Sequence, residues 1–356
     1  MMNVVEKRLS EGKFVLIAEI GVNYYDIAHK LNITNMQAAK MMILEAKNAG
    51  IHAVKFQTYK AETLAAKDSP SYWDTSEEST TSQFALFKKF DAFGVKEYQE
   101  LSNFCNQIGI EFCSTPFDFE SADYLDDMMN IYKISSSDLS NLPFISYIAK
   151  KNKPILLSIG ASNLDEIQRA VYTIRQYNDK KLTLLHCVLE YPTPYEHANL
   201  SKIRTLKETF PDTYIGYSDH TKPDPEYDVI KIAYLLGAQV IEKHFTLDKS
   251  LTGNDHYHAM DVHDAEEMLK RIDKIDMLKG IGGLRALASE ASARQNARRS
   301  IVTKCAISKG TKITPDLLTF KRPGTGISPS LLEEVIGKIS TKDLPEDKIL
   351  QQDDFE

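Results

Sequence analysis

Short apolar runs recur along the first 280 residues, and most hand over to polar residues at their carboxyl ends. Eight stand out: residues 14–20 (FVLIAEI), 53–57 (AVKFQ), 110–114 (IEFCS), 131–135 (IYKIS), 154–159 (PILLSI), 181–187 (KLTLLHC), 213–217 (TYIGY) and 238–245 (AQVIEKHF). Runs this short, rich in β-branched and aromatic residues, predict strands buried on both faces. Between them the apolar spacing changes to a helical period. Residues 36–49 carry apolar side chains at 36, 39, 42, 43, 46 and 49 and stop at Gly50, the spacing and terminal glycine of a helix. Helices are likewise predicted over 97–109, 119–128, 144–150, 229–236 and 263–278, the last two closing on Gly237 and Gly280. Ser162, with Asp165 three residues on, predicts a capped helix start before Ile167, Ala170, Val171 and Ile174.

Strands alternating with helices imply βα units and a parallel sheet. Eight units fit a TIM (β/α)8 barrel, whose usual length is ~250 residues and whose catalytic face lies at the strands' carboxyl ends. A doubly wound open sheet is the alternative, but no Gly-x-Gly-x-x-Gly follows the first strand. Residues 59–95 form a long connection rich in Ser, Thr and Lys, the kind that carries function or covers a site. Residues 1–280 are therefore expected to be the barrel. Residues 281–298 (IGGLRALASEASARQNAR) read as a linker. Residues 299–356 read as a second unit of short strands and turns, too small to be more than marginally stable alone.

Composition narrows the class. The hydrophobic share of 42% and charged share of 26% are those of a soluble globular protein. A net charge of −7 leaves no basic surplus for nucleic acid. Four scattered cysteines without Cys-x-x-Cys imply reduced, packed thiols and a cytoplasmic location. No apolar run approaches ~20 residues, and the amino terminus has no apolar signal core, so neither membrane spanning nor export is expected.

The strand ends carry the candidate chemistry: Glu19, Lys55, Gln57, Ser114, Thr115, Lys133, Ser136, Ser158, His186, Ser218, His220 and His244. Lys55 and Lys133 sit inside otherwise apolar strands, and a lysine is costly to bury without an anion. With Ser136, Ser158 and Ser218 they predict a phosphate cradle. His220 and His244 end neighbouring strands, with Asp219, Glu242 and Asp255 nearby. That set predicts a divalent metal with open positions. The alternative is a pair of hydrogen-bonded histidines with no metal.

The segments IAEIGVN, VKFQTY, STPFD, YKISSSD, LLSIGAS, LLHCVLEYPTP, IGYSDHT, VIEKHFT, GNDH, RRSIV, KGTKIT and KRPGTGISP span nearly the whole chain. Together they resemble the sialic acid synthase family, enzymes that condense phosphoenolpyruvate with an N-acylated hexosamine to give a nine-carbon ulosonic acid. The resemblance implies a TIM barrel followed by a small β-rich domain like the type III antifreeze fold (SAF, β-clip). It also implies a domain-swapped homodimer in which each small domain caps the other subunit's barrel. His220 and His244 match the family's metal ligands, usually for Mn2+, with Mg2+ or Co2+ as alternatives. Glu19 matches a catalytic carboxylate beside the metal. Lys55, Lys133, Ser136, Ser158 and Ser218 match the phosphoenolpyruvate contacts. Gln57, Asp138, Tyr191 and Asp255 match residues touching the amino sugar, and Arg322 matches the arginine reaching it from the other subunit. The acceptor implied is N-acetylmannosamine, its 6-phosphate, or a diacetamido-trideoxyhexose.

The chain also departs from the family's pattern at four places. Tyr24-Tyr25-Asp26 stands for His-Asn-Gly, with a longer loop expected before the helix. Ile159 and Ala161 stand for Thr and Met, Leu189 stands for a polar residue, and Asp138 stands for Glu. Two other functions compete: a different phosphoenolpyruvate-dependent aldol-type sugar acid synthase, and a non-catalytic carbohydrate-binding protein.

Overall fold

Which side chains point inward along eight parallel strands decides the architecture. The computed structural model describes residues 3–73, 75–76, 78–253 and 255–356. The chain divides into two compact units, residues 1–280 and 281–356. In the first, α1 (Val4–Ser10) leads into β1 (Val15–Gly21), α2 (Tyr24–Leu31), α3 (Asn35–Asn48) and β2 (Ala53–Thr58). Then come α4 (Ala61–Leu64), α5 (Gln83–Lys89), α6 (Val95–Ile108), β3 (Glu111–Pro116), α7 (Phe119–Asp126) and β4 (Tyr132–Ile134). The series continues through α8 (Leu142–Lys150), β5 (Ile155–Ser158), α9 (Leu164–Arg175), β6 (Leu182–Cys187) and α10 (Ser201–Thr209). It closes with β7 (Tyr214–Asp219), α11 (Asp228–Leu236), β8 (Val240–His244) and α12 (Val262–Lys279).

The strands form one parallel sheet in the order β3-β2-β1-β8-β7-β6-β5-β4. Its two end strands, β3 and β4, come side by side, so the sheet curls into a nearly closed TIM-like barrel. Period-two alternation then sorts every strand. One set of positions, including Leu16, Ala18, Val54, Phe56 and Phe112, packs against the helices. The other set fills the interior with Val15, Ile17, Ala53, Cys113, Ile131, Leu156, Leu185 and Val240. Two residues further along, the same inward face becomes polar: Glu19, Lys55, Thr115, Lys133, Ser158, Ser218 and Glu242. An apolar floor thus supports a charged layer at the strands' carboxyl ends, where a barrel holds its site.

Two local expectations need correction, and two short helices were not foreseen. The segment after Asn23 is not a loop: Tyr24–Leu31 is helical and ends on Asn32 in the left-handed region, φ 54°. Tyr24 stacks on Phe93 at 4.7 Å, and this burial stabilises the extra turn pair. Asn163, not Ser162, caps α9: Asn163 Oδ1 accepts from Glu166 N at 3.1 Å, and Glu166 Oε2 accepts from Asn163 N at 2.8 Å. Ser162 spends its hydroxyl on the Gly160 carbonyl, 2.9 Å away. The stretch expected as a linker contains the helix α13 (Ala291–Asn296). Finally, α1 was not foreseen. Its Val5 and Leu9 join the interior apolar cluster and cover the amino-terminal end of the barrel.

In the second unit β9 (Ser300–Thr303) and β10 (Leu318–Lys321) pair antiparallel. Ile301, Ile307, Ile313, Val335, Leu344 and Leu350 make its own core. A short helix, α14 (Leu332–Val335), packs on that core. Among the described residues no helix is long and apolar enough to cross a membrane.

Gly216 on β7 lets two strands and an inward leucine meet. A Cβ there would lie 2.6 Å from the Val240 carbonyl oxygen and 2.3 Å from Leu185 Cδ2. The carbonyl is backbone and cannot swing away, so Gly216→Ala should lower stability by about 2 kcal/mol or more. Urea denaturation measures it; an unchanged midpoint would contradict the close approach.

Candidate active site

The charged layer at the strand ends is internally paired. Lys55 Nζ lies 2.5 Å from Glu19 Oε2 and 3.8 Å from Glu242 Oε1. Lys133 Nζ lies 3.4 Å from Glu242 Oε1, and Ser218 Oγ donates to that oxygen at 3.0 Å. Lys55 also donates to Thr115 Oγ1 at 3.1 Å. All four charged groups are at least nine-tenths buried. Burial opposes the Glu242 charge, but Lys133, Lys55 and the Ser218 hydroxyl hold its pKa below the usual carboxylate value. Burial also opposes the Lys55 ammonium, yet Glu19 and Glu242 hold its pKa above the ordinary lysine value. Burial raises the Glu19 carboxyl, with Lys55 working against that and the like charge of Glu242 adding to it. The expected anionic partners of the lysines are therefore partly internal, and Glu242 is the central one. Its place on the inward face, two residues before His244 in VIEKH, was the available signal.

These groups border an inner cavity. Of the residues singled out from the sequence, Glu19, Lys55, Gln57, Lys133, Ser136, Ser158, Tyr191, Ser218, His220 and His244 all line it. Gln57 Nε2 donates to Glu19 Oε1 at 3.0 Å. Ser136 Oγ accepts from Gly160 N at 2.8 Å and lies 3.0 Å from Cys187 Sγ. Gly160 is required here, because a Cβ would sit 2.6 Å from that sulfur. Asp138 does not line the cavity. It sits in a 3-10 turn, where its carboxylate accepts from Asn141 Nδ2 at 3.2 Å. Arg322 is an exposed residue of the second unit. His186 is a wall residue: its Nε2 lies 2.8 Å from the Ala198 carbonyl oxygen.

The histidines gather beside the charged layer. The His220 and His244 ring centres are 5.7 Å apart, and those of His244 and His258 are 5.0 Å apart. His220 Nδ1 is 2.7 Å from the Val188 carbonyl oxygen, which leaves Nε2 as the free lone pair. Among the described residues His244, Asp255 and His258 form a donor set whose ligand atoms lie within 4.8 Å of one another. Asp255 thus stands with the imidazoles and lines an outer compartment. Inner and outer compartments share Gln57, Tyr191 and His244. His258 was not singled out from the sequence; its spacing of three from Asp255 in DHYH was the signal.

Among the described residues, His244 Nδ1, both His258 ring nitrogens, Ser158 Oγ and Glu242 Oε2 are buried without a hydrogen-bond partner. Unsatisfied buried polar atoms are rare and mark a place built for something else. Burial keeps His220 neutral, its pKa lowered to about 4. Burial and the neighbouring imidazoles keep His244 and His258 neutral too. Neutral imidazole is the form that binds metal. Burial, with Glu19 nearby, raises Asp255 to about 7. A cation would return it to the carboxylate. The donor set fits a divalent metal.

The NeuB family matches residues 42–283 of this chain. The chain belongs to the NeuB family. A SAF domain matches residues 298–356. An N,N'-diacetyllegionaminic acid synthase of Campylobacter jejuni is 37% identical over 96% of this chain and 99% of its own length. The human N-acetylneuraminate-9-phosphate synthase is 28% identical over 98% of this chain and 96% of its own. The crystal structure of the Bacillus subtilis spore coat polysaccharide biosynthesis protein spsE superposes with a TM-score of 0.63, at 31% identity over 97% and 95% of the two chains. The barrel, the SAF domain and the sialic acid synthase resemblance read from the sequence all stand.

For this NeuB-family chain the metal set is testable directly. Equilibrium dialysis against Mn2+ should leave about one ion per chain. His244→Ala and His258→Ala should each weaken binding by roughly 10- to 100-fold, on the scale of losing a ligand or its support. Unaltered binding in His258→Ala would remove that residue from the set.

Proposed function

We propose that this protein joins phosphoenolpyruvate to the open-chain aldehyde of an N-acyl hexosamine, giving a nine-carbon sialic-acid-like ulosonate and phosphate. The observation that carries the reading is the meeting of Lys55, Lys133, Ser136, Ser158 and Ser218 with neutral imidazoles in one cavity. A small dianion is what two buried ammonium groups beside an unpartnered Ser158 hydroxyl would bind. The names borne by the relatives, legionaminate and neuraminate-9-phosphate synthases, agree with this chemistry.

In this reading the phosphate and carboxylate of phosphoenolpyruvate displace part of the Glu242 pairing to Lys133 and Lys55. The enol C3 attacks the aldehyde carbon, and a C–C bond forms as the aldehyde π pair moves onto its oxygen and C2 becomes cationic. Water adds at C2, and Glu19, with its raised carboxyl pKa, takes a proton from that water and returns it to the new alkoxide. The C2–O bond to phosphate then breaks as the C2 hydroxyl becomes the keto group, and phosphate leaves onto the lysines with that hydroxyl's proton. A divalent cation, Mn2+ by preference, held by His244, His258 and Asp255 beside His220, would supply Lewis acidity to the aldehyde oxygen. Gln57 and Tyr191, at the junction of the two compartments, orient the sugar. Asp138 completes the sugar contacts only if its 3-10 turn moves.

The same reading includes a homodimer in which Arg322 of the partner subunit reaches the acceptor. It also places the enzyme in the cytoplasm, with its supply of phosphoenolpyruvate. Mere carbohydrate binding gives no reason to bury two lysines at a strand-end cavity. An aldose-phosphate acceptor remains an outcome of the assay.

Incubation with phosphoenolpyruvate, Mn2+ and a panel of N-acyl hexosamines should release phosphate only when the sugar is present, with a nine-carbon acid seen by mass spectrometry. Lys133→Ala should raise KM for phosphoenolpyruvate at least tenfold while changing KM for the sugar little. Sugar-independent phosphate release, or product only from aldose phosphates, would sink the reading.

A further inference from the structure

The outer compartment is built unlike the inner one. Much of its wall comes from the long connection after β2, where Trp73, Leu86, Phe87 and Phe90 line the space. Trp73 is the only tryptophan in the chain. Its indole Nε1–H donates to the Glu78 and Thr80 carbonyl oxygens, each at 3.1 Å, so the ring is fixed. Tyr72 meets Trp73 edge-on at 5.5 Å and Tyr191 at 6.5 Å, which joins this wall to the junction with the inner cavity.

Beside its tyrosines, Gln57 and His244, its ionisable side chains are carboxyls. Glu78 lines the compartment, as does Asp255, while no lysine or arginine is among its described lining residues. Glu78 Oε1 is tied down by Thr80 N at 2.8 Å and Thr80 Oγ1 at 2.5 Å, with Lys89 3.4 Å away outside the lining. Its other oxygen is directed toward the loop after β8, 3.4 Å from where a Cβ at Gly253 would stand. The inner cavity holds two ammonium groups balanced by two carboxylates; the outer one holds rings and two carboxylates, with no ammonium group among its described lining residues.

We infer that this aromatic recess is the specificity pocket for the end of the acceptor remote from its aldehyde, and that it takes a methyl-bearing group and refuses a phosphate. The methyl of a second N-acyl group or of a deoxygenated carbon gains by leaving water against Trp73 and Phe87. A phosphate there would lose hydration opposite Glu78 with no cation in the wall to replace it. The inference rests on the proposed condensation, because that reading sets the aldehyde at the imidazole cluster. Trp73, Glu78, Leu86, Phe87 and Phe90 thus become acceptor-selecting residues.

Trp73 gives a readout that needs no turnover. The full-length protein, loaded with Mn2+ and without phosphoenolpyruvate, is titrated with N-acetylmannosamine, its 6-phosphate and a 2,4-diacetamido-2,4,6-trideoxyhexose, following tryptophan emission. The diacetamido sugar should change the emission saturably, with a Kd at least tenfold below that of the 6-phosphate. Phe87→Ala should weaken the diacetamido sugar at least fivefold, and Glu78→Gln should narrow its advantage over the 6-phosphate. Equal or tighter binding of the 6-phosphate overturns the inference. So does sugar binding that leaves the emission unmoved, or no binding by any of the three. If the diacetamido sugar binds as expected but phosphoenolpyruvate then releases no phosphate, the condensation reading fails while the pocket stands.

Discussion

Everything at the strand ends depends on keeping two lysines charged inside a barrel. An isolated buried ammonium is too costly to persist, and Lys55 is almost fully enclosed. Glu19 and Glu242 make it tolerable, at 2.5 Å and 3.8 Å from Lys55. Removing one partner of such a set leaves an uncompensated charge, a loss of about 3–5 kcal/mol. The layer therefore works as a unit. Two carboxylates balance two ammonium groups, so an arriving anion meets preplaced donors whose present partners can be shared.

That layer can exist only because the floor beneath it is apolar. The inward positions Val15, Ile17, Ala53, Leu156 and Val240 exclude water from below. Strand register fixes what lies above. Glu19 pairs with Lys55 across β1 and β2 and with His244 across β1 and β8, while Ser218 pairs with Glu242 across β7 and β8. A shift of one residue would turn these side chains into the helix layer. The lysine and carboxylate layer belongs to the strands and the proposed acceptor choice to the connection after β2, so one can vary while the other stays fixed.

Much of this was legible in the sequence because parallel strands buried on both faces leave continuous apolar runs. A lysine interrupting such a run is conspicuous, and Lys55 and Lys133 did come together with Ser158, Ser218 and the histidines. Other features were hidden for physical reasons. Glu242 reads as a carboxylate beside the histidines, and its pairing with Lys55 and Lys133 cannot be seen until its neighbours across the barrel are known. His258 lies in a loop, where no periodicity tells which way it points. The helix at Tyr24–Leu31 is held by aromatic stacking on Phe93, a contact some seventy residues away in the chain. Asn163 outcompeted Ser162 as a cap because Glu166, not Asp165, could complete the reciprocal pair.

The short first helix, with Val5 and Leu9 against the interior, completes an apolar plug at the barrel's amino-terminal end, so among the described residues the polar layer faces the other end alone. Reactants, water and both products must then pass the same doorway. Turnover in such a vessel is a question of traffic as well as of bonds: nothing can be pushed through from behind, and each departure clears the way for the next arrival.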